Sequence, residues 1–120
     1  MKKILIIDDT LHLLEEISDI LRMEGYEVIT AYDAFDGMRK ISTSNPHLII
    51  TDILMPEMDG FELISKIRSV DKHQTTPIIV LSAQAAKENM QKAEELKANL
   101  YLRKPCTADE LLSSIEKLLN

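Results

Sequence analysis

Four short apolar runs in this chain each lead into residues that can do chemistry. "ILII" runs into Asp8-Asp9, "LIIT" into Asp52, "IIVL" into Ser82 and "YLR" into Lys104. Runs this apolar belong in a core, where an ionised carboxylate is costly unless it is paired or solvated. If the runs are parallel strands of one sheet, their ends share a rim. Three carboxylates, one hydroxyl and one amine then converge from four separate segments. Singly, each has an ordinary explanation: Asp8 or Asp9 caps a helix, Ser82 bonds to backbone, and Lys104 is a solvated surface amine. The set is harder to explain that way. At ~4 Å and an effective dielectric of about 20, each carboxylate pair costs about 4 kcal/mol. A rim built so needs a cation, and oxygen-only donors without a nearby histidine or cysteine favour Mg²⁺ or Mn²⁺. Crowding also predicts that Asp8→Asn or Asp9→Asn raises stability in the absence of metal.

The elements that must position these residues follow from the hydrophobic pattern. Strands are predicted at residues 3–7, 27–31, 48–52, 77–82 and 99–102. The runs 4–7, 48–50 and 78–81 are apolar throughout, as strands buried on both faces should be. "YEVITA" is mixed and the last strand is short, which puts both at the sheet edges. Between and after the strands lie amphipathic helical patterns. Leu14, Ile17 and Leu21 carry the first, which stops near Gly25. Phe35, Met38 and Ile41 mark the second, with Asp33 as N-cap. Phe61, Ile64 and Ile67 mark the third, begun by Asp59-Gly60. The fourth, 86–97, has thin anchors in Met90, Ala93 and Leu96. The fifth opens on a capping box, Thr107 with Glu110, and presents Leu111, Leu112, Ile115, Leu118 and Leu119. Strict βα alternation implies right-handed crossovers and a parallel sheet with helices on both faces. In such open sheets the functional crevice lies at the carboxyl rim, where strand order reverses.

Composition narrows the function classes. A chain of 120 residues makes one domain, 1–120, with a real core. Fourteen basic against twenty acidic residues leave a net charge of −6, which argues against direct nucleic-acid binding through the phosphate backbone. The lone Cys106 allows no internal disulfide, and no stretch approaches the ~20 apolar residues of a membrane span. Two lysines precede the first apolar run, but four residues are too few for a secretory core. A cytoplasmic protein is the expectation, with no membrane contact. No GxxxxGK[ST] or GxGxxG nucleotide loop appears.

In order and spacing, "ILIIDD", "LIITDILMPEMDGFELISKIR", "PIIVLSA" and "YLRKP" resemble the receiver domain of two-component response regulators, over the whole chain. The resemblance implies an α/β, flavodoxin-like, doubly wound sheet of five parallel strands, order 2-1-3-4-5, with five helices. It implies a signalling switch that catalyses only its own phosphorylation and dephosphorylation. Asp52 would accept a phosphoryl group from a histidine kinase or histidine phosphotransfer protein. Asp9 and Asp52 would ligate Mg²⁺ directly, Asp8 through water, and the backbone carbonyl of Leu54 would complete the protein ligands. Lys104 would contact the phosphoryl oxygens, with a cis bond to Pro105. Ser82 holds the switch hydroxyl position and Tyr101 the switch aromatic position. Leu54 and Gln84 match positions that tune the approach of water to the acyl phosphate. By the same resemblance, the first helix and the loop after strand 5 would meet the kinase. The helix 4–strand 5–helix 5 face would meet an effector, an output domain or, on phosphorylation, a second copy. The family pattern is broken at Lys97, where Gly is common, at Cys106, where an aromatic is usual, and at Gly37, where alanine is common.

Three other readings compete with this one. A receiver-like module that is never phosphorylated keeps the fold without the chemistry. An Mg-dependent aspartate-nucleophile phosphatase also uses a strand-end carboxylate, but needs a second acid where Leu54 stands. A flavin-binding flavodoxin needs hydroxyls and amides in its first loop, where "DDT" places two anions. Both a stand-alone regulator and the N-terminal receiver of a longer one are compatible with this sequence.

Overall fold

A computed structural model of the chain describes residues 1–84 and 86–120. Its elements alternate as β1 (Lys3–Ile7), α1 (Leu11–Met23), β2 (Glu27–Ala31), α2 (Ala34–Ser44), β3 (Leu48–Thr51) and α3 (Gly60–Arg68). A short 3₁₀ turn, Asp71–His73, precedes β4 (Ile78–Ser82), α4 (Lys87–Glu95), β5 (Leu100–Arg103) and α5 (Ala108–Leu119). All pairings are parallel and the sheet order is β2-β1-β3-β4-β5. The fold is therefore the parallel sheet with helices on both faces that the alternation implied, in the doubly wound, flavodoxin-like order that the family resemblance implied.

Period-2 alternation divides the core. Leu5, Ile7, Ile49, Ile78 and Val80 face one side, where α2, α3 and α4 supply Ile41, Leu63, Ile64, Ile67 and Ala93. Ile4, Ile6, Leu48, Ile50, Ile79 and Leu81 face the other, against Leu14, Ile17 and Leu21 of α1 and Leu111 and Ile115 of α5. Each such side chain, fully buried, contributes roughly 1.5–3 kcal/mol. Only the central strands β1, β3 and β4 are near-continuously buried, whereas the outer strands β2 and β5 are largely half-exposed.

Local signals set the helix ends. Asp33 and Asp59 accept from the backbone N–H of Asp36 and Glu62, and Thr107 Oγ1 accepts from Glu110 N at 3.0 Å. Thr107→Ala removes that acceptor and is expected to lower stability by about 0.5–2 kcal/mol, read as a shift in the urea midpoint with an unchanged slope. Gly25, at φ +94°, makes the left-handed turn after α1. Two expectations shift. Phe35 does not anchor α2: it is 53% exposed, and Ala34 and Gly37 are buried in its place beside the expected Ile41 and the partly buried Met38. The fourth helix is shorter than 86–97, and Ala93 is its one buried residue.

Candidate functional site

The sheet's register builds the rim. Ile7 pairs with Thr51, and Asp52 N donates to Ile7 O at 3.1 Å, so Asp8 and Asp52 emerge side by side. Ser82 pairs with Arg103, and Lys104 N donates to Ser82 O at 2.9 Å, which starts the lysine from the neighbouring strand end. Lys104 Nζ then lies 2.8 Å from Asp8 Oδ2 and 2.8 Å from Asp52 Oδ2. The two carboxylates, 3% and 9% exposed, are thus bridged by one half-buried ammonium. Their other oxygens are also held: Thr10 N donates to Asp8 Oδ1 at 2.9 Å, and Ile53 N to Asp52 Oδ1 at 2.6 Å. Charge-assisted bonds of this kind are shorter and stronger than neutral ones. Burial alone would lower the Lys104 pKa, but the Asp52 and Asp8 carboxylates outweigh it and hold the ammonium above the ordinary lysine range.

This geometry changes the electrostatic picture. Lys104 sets one cation between Asp8 and Asp52, and Asp9 is exposed rather than packed against them. A gain in stability from neutralising Asp8 by relief of repulsion therefore loses its basis.

The remaining site residues lie on the same rim. Ser82 is 1% exposed and its Oγ accepts from Gln84 N at 3.1 Å. The Tyr101 hydroxyl donates to the Gln84 carbonyl, tying β5 to the segment that leads into α4. Burial, with the charge of Asp52, holds the Tyr101 phenol above its ordinary pKa, against a smaller lowering from the Ser82 hydroxyl. The Lys104–Pro105 peptide bond is cis. Leu54 points outward, 59% exposed, beside Asp52.

One positioning residue carried too little signal to be read as such. Gly60 N donates to Ile53 O at 2.8 Å, and a Cβ on Gly60 would sit 2.2 Å from the Asp52 carbonyl oxygen. The start of α3 is thus pressed against the backbone of Asp52. "DG" reads as a helix start in sequence; the close approach appears only when the loop 53–59 closes.

A doubly wound sheet carrying two acids and a lysine at its switch-point rim is the architecture of a receiver domain. The chain belongs to the response regulator receiver domain family, whose model matches residues 4–116. Among curated relatives it is similar to the chemotaxis protein CheY of Treponema pallidum, 36% identical over 120 residues, covering 98% of this chain and 82% of that one. It is also similar to PilG of Pseudomonas aeruginosa, 33% identical over 114 residues, covering 95% of this chain and 84% of the relative. The solved structure of Vibrio cholerae CheY4 superposes with a TM-score of 0.95 at 32% identity, covering 99% of both chains. The transcriptional regulatory protein PrrA of Mycobacterium tuberculosis is 32% identical, and there the chain spans 49% of the relative's length. The protein is thus a response regulator receiver domain of two-component signalling. Receiver domains act generally as signalling switches rather than as conventional enzymes. Among the described residues no helix is long and apolar enough to cross a membrane.

Proposed function

We propose that Asp52 accepts a phosphoryl group from a phosphohistidine donor, a histidine kinase or a histidine phosphotransfer protein, and that the product resets the α4–β5–α5 face. The observation that carries this reading is the shared ammonium, 2.8 Å from both Asp8 Oδ2 and Asp52 Oδ2. It supports the reading because the ammonium stands beside the buried carboxylate oxygen that would meet the phosphoryl group.

A carboxylate oxygen of Asp52 attacks phosphorus as the bond to the imidazole nitrogen breaks, and the departing nitrogen keeps the electron pair. Lys104 exchanges its contact with Asp52 Oδ2 for a phosphoryl oxygen, so the charge that develops meets a donor already in place. Asp8 keeps the other side of the ammonium fixed during that exchange. The hard-oxygen donor set suits Mg²⁺, which binds through one or two carboxylates plus substrate phosphate and retains water. Asp8, Asp9, Asp52 and the Leu54 carbonyl are the groups that would hold the ion. When bound, it supplies positive charge against the phosphoryl oxygens.

The phosphorylated side chain carries strong acceptor oxygens that the free carboxylate lacks. Ser82 Oγ turns from Gln84 N to one of them. Tyr101 is bonded to the Gln84 carbonyl, so the same segment carries the change to β5 and α4, which is held by a single buried residue, Ala93. Differential contact with the two packings shifts their populations, and an effector, output domain or second copy reads the shift. Incubation with acetyl phosphate and Mg²⁺ is expected to add one phosphoryl group to the wild type, by intact-mass measurement, and none to Asp52→Asn. Equal labelling of that variant would remove Asp52 from its role.

A further inference from the structure

The far end of the sheet holds a second arrangement of polar groups, around His73 in the connection between α3 and β4. Its imidazole is 4% exposed. Nδ1 lies 2.8 Å from Thr76 Oγ1, while Nε2 is buried with no hydrogen-bond partner among the described residues. In either neutral tautomer one ring nitrogen is left unmatched, and in the cation Nε2 becomes an N–H with no acceptor. That orphaned donor is costly in a buried setting.

The charged neighbours make the cation worse. The groups acting on His73 are Lys72 on its own segment and Arg68 at the end of α3, both positive. From α2, across a cavity of about 180 Å³, come Met38, Ile41, Ser42 and Asn45, none of them titratable. Burial first, then Lys72 and Arg68, hold the imidazole below its ordinary pKa.

Arg68 connects this segment to the rest of the fold. Its Nη1 donates to the carbonyls of His73 and Thr76 at 2.9 and 2.7 Å. Its Nε and Nη2 donate to the Lys97 carbonyl at 3.2 and 2.7 Å, and Nη2 also to Asn99 Oδ1 at 3.1 Å. Asn99 Oδ1 in turn accepts from Ile78 N at 2.9 Å. One guanidinium therefore clamps the 3₁₀ segment to the corner between α4 and β5. Lys97, at that corner, has φ +73°.

We propose that His73 is a proton-sensitive latch: taking a proton from solvent onto its free ring nitrogen releases residues 71–76 and, through Arg68, loosens the α4–β5 corner. The segment opens because the imidazolium needs water for Nε2–H and relief from Arg68 and Lys72. Opening carries away the His73 and Thr76 carbonyls, two of the acceptors that orient the guanidinium. Acid thereby reaches the α4–β5 face from the end of the sheet opposite Asp52, whether or not Asp52 is phosphorylated.

The test is backbone amide exchange of the full chain at about pH 7.5 and about pH 5.5, corrected for intrinsic rates, with His73→Gln alongside. Wild type is expected to lose protection several-fold at residues 71–76 and 97–99 on acidification, and His73→Gln to show no such loss. An equal loss in the variant would overturn the proposal. A second measurement needs no variant: imidazole NMR titration of His73 in the wild type. His73 is expected to protonate below the ordinary histidine value of ~6.5, and titration at or above that value would overturn the latch.

Discussion

Lys104→Met is expected to lower metal-free stability by about 3–5 kcal/mol, the cost of breaking a buried ion pair from one side. The methionine fills much of the stem's volume but leaves Asp8 and Asp52, with side chains 5% and 11% exposed, facing each other without a cation. Both Thr10 N and Ile53 N remain as donors, yet each serves only one oxygen of its carboxylate. For a chain of this size the loss is on the order of ten degrees or more in thermal midpoint. Adding Asp8→Asn in the Lys104→Met background is expected to restore part of it, because one buried charge is then gone. The same substitution in wild type brings no such gain. The effect holds across the neutral range. Folding raises the Lys104 pKa, so the bridge contributes fully below the unfolded lysine value of ~10.4 and is lost as pH rises through the higher folded value. Calorimetric scans in chelator decide the matter: a Lys104→Met midpoint equal to wild type would mean that the bridge stabilises nothing.

That bridge marks the boundary of what the sequence makes legible. The parallel sheet and its edges follow from βα alternation and from where apolar runs lose continuity, because both are local consequences of burial; the strand order comes from the family resemblance. Strand ends then locate Asp8, Asp9, Asp52, Ser82 and Lys104 on one rim. What the pattern cannot carry is which side chain reaches which. Lys104 lies 96 residues from Asp8 and 52 from Asp52, and its choice of both depends on strand register and side-chain reach. Charge alone does not show that an ammonium stands between two of the acids or that Asp9 is exposed. The same limit applies at the opposite end of the sheet. His73 is one of three histidines scattered through the sequence without a ligand pattern, and Arg68 closes an amphipathic helix. Their roles come from carbonyls at residues 73, 76 and 97, backbone atoms that leave no trace in residue type. Phe35 failed for a related reason: a large apolar residue near a helix start was given weight that belonged to Ala34 and Gly37.

The contrast between two glycines gives the second large effect. Gly60→Ala is expected to cost about 1–3 kcal/mol or more and to slow acyl-phosphate formation. Its new methyl would lie 2.2 Å from the Asp52 carbonyl oxygen, 2.8 Å from Ile53 Cα and 3.1 Å from the Asp52 carbonyl carbon. These are backbone atoms of the strand end that presents the proposed phosphoacceptor, so no rotamer change relieves the overlap. Either α3 lifts, breaking the Gly60 N–Ile53 O bond, or the strand end shifts and with it the Ile53 N–H that holds Asp52 Oδ1. Gly37→Ala meets a different obstacle. Its methyl would lie 2.7 Å from Ile7 Cδ1, the far end of a side chain that can rotate, and the helix gains roughly 0.8–1.0 kcal/mol of propensity. The two terms nearly cancel, so Gly37→Ala is expected to melt within a few degrees of wild type. It also explains why this chain has glycine there: Ile7 fills the space that an alanine methyl would take. Thermal melts of both variants, with acetyl phosphate labelling rates measured under one condition, separate the cases. Wild-type melting and labelling by Gly60→Ala would show that the loop after Asp52 yields freely, and that the close approach of α3 does not position the carboxylate.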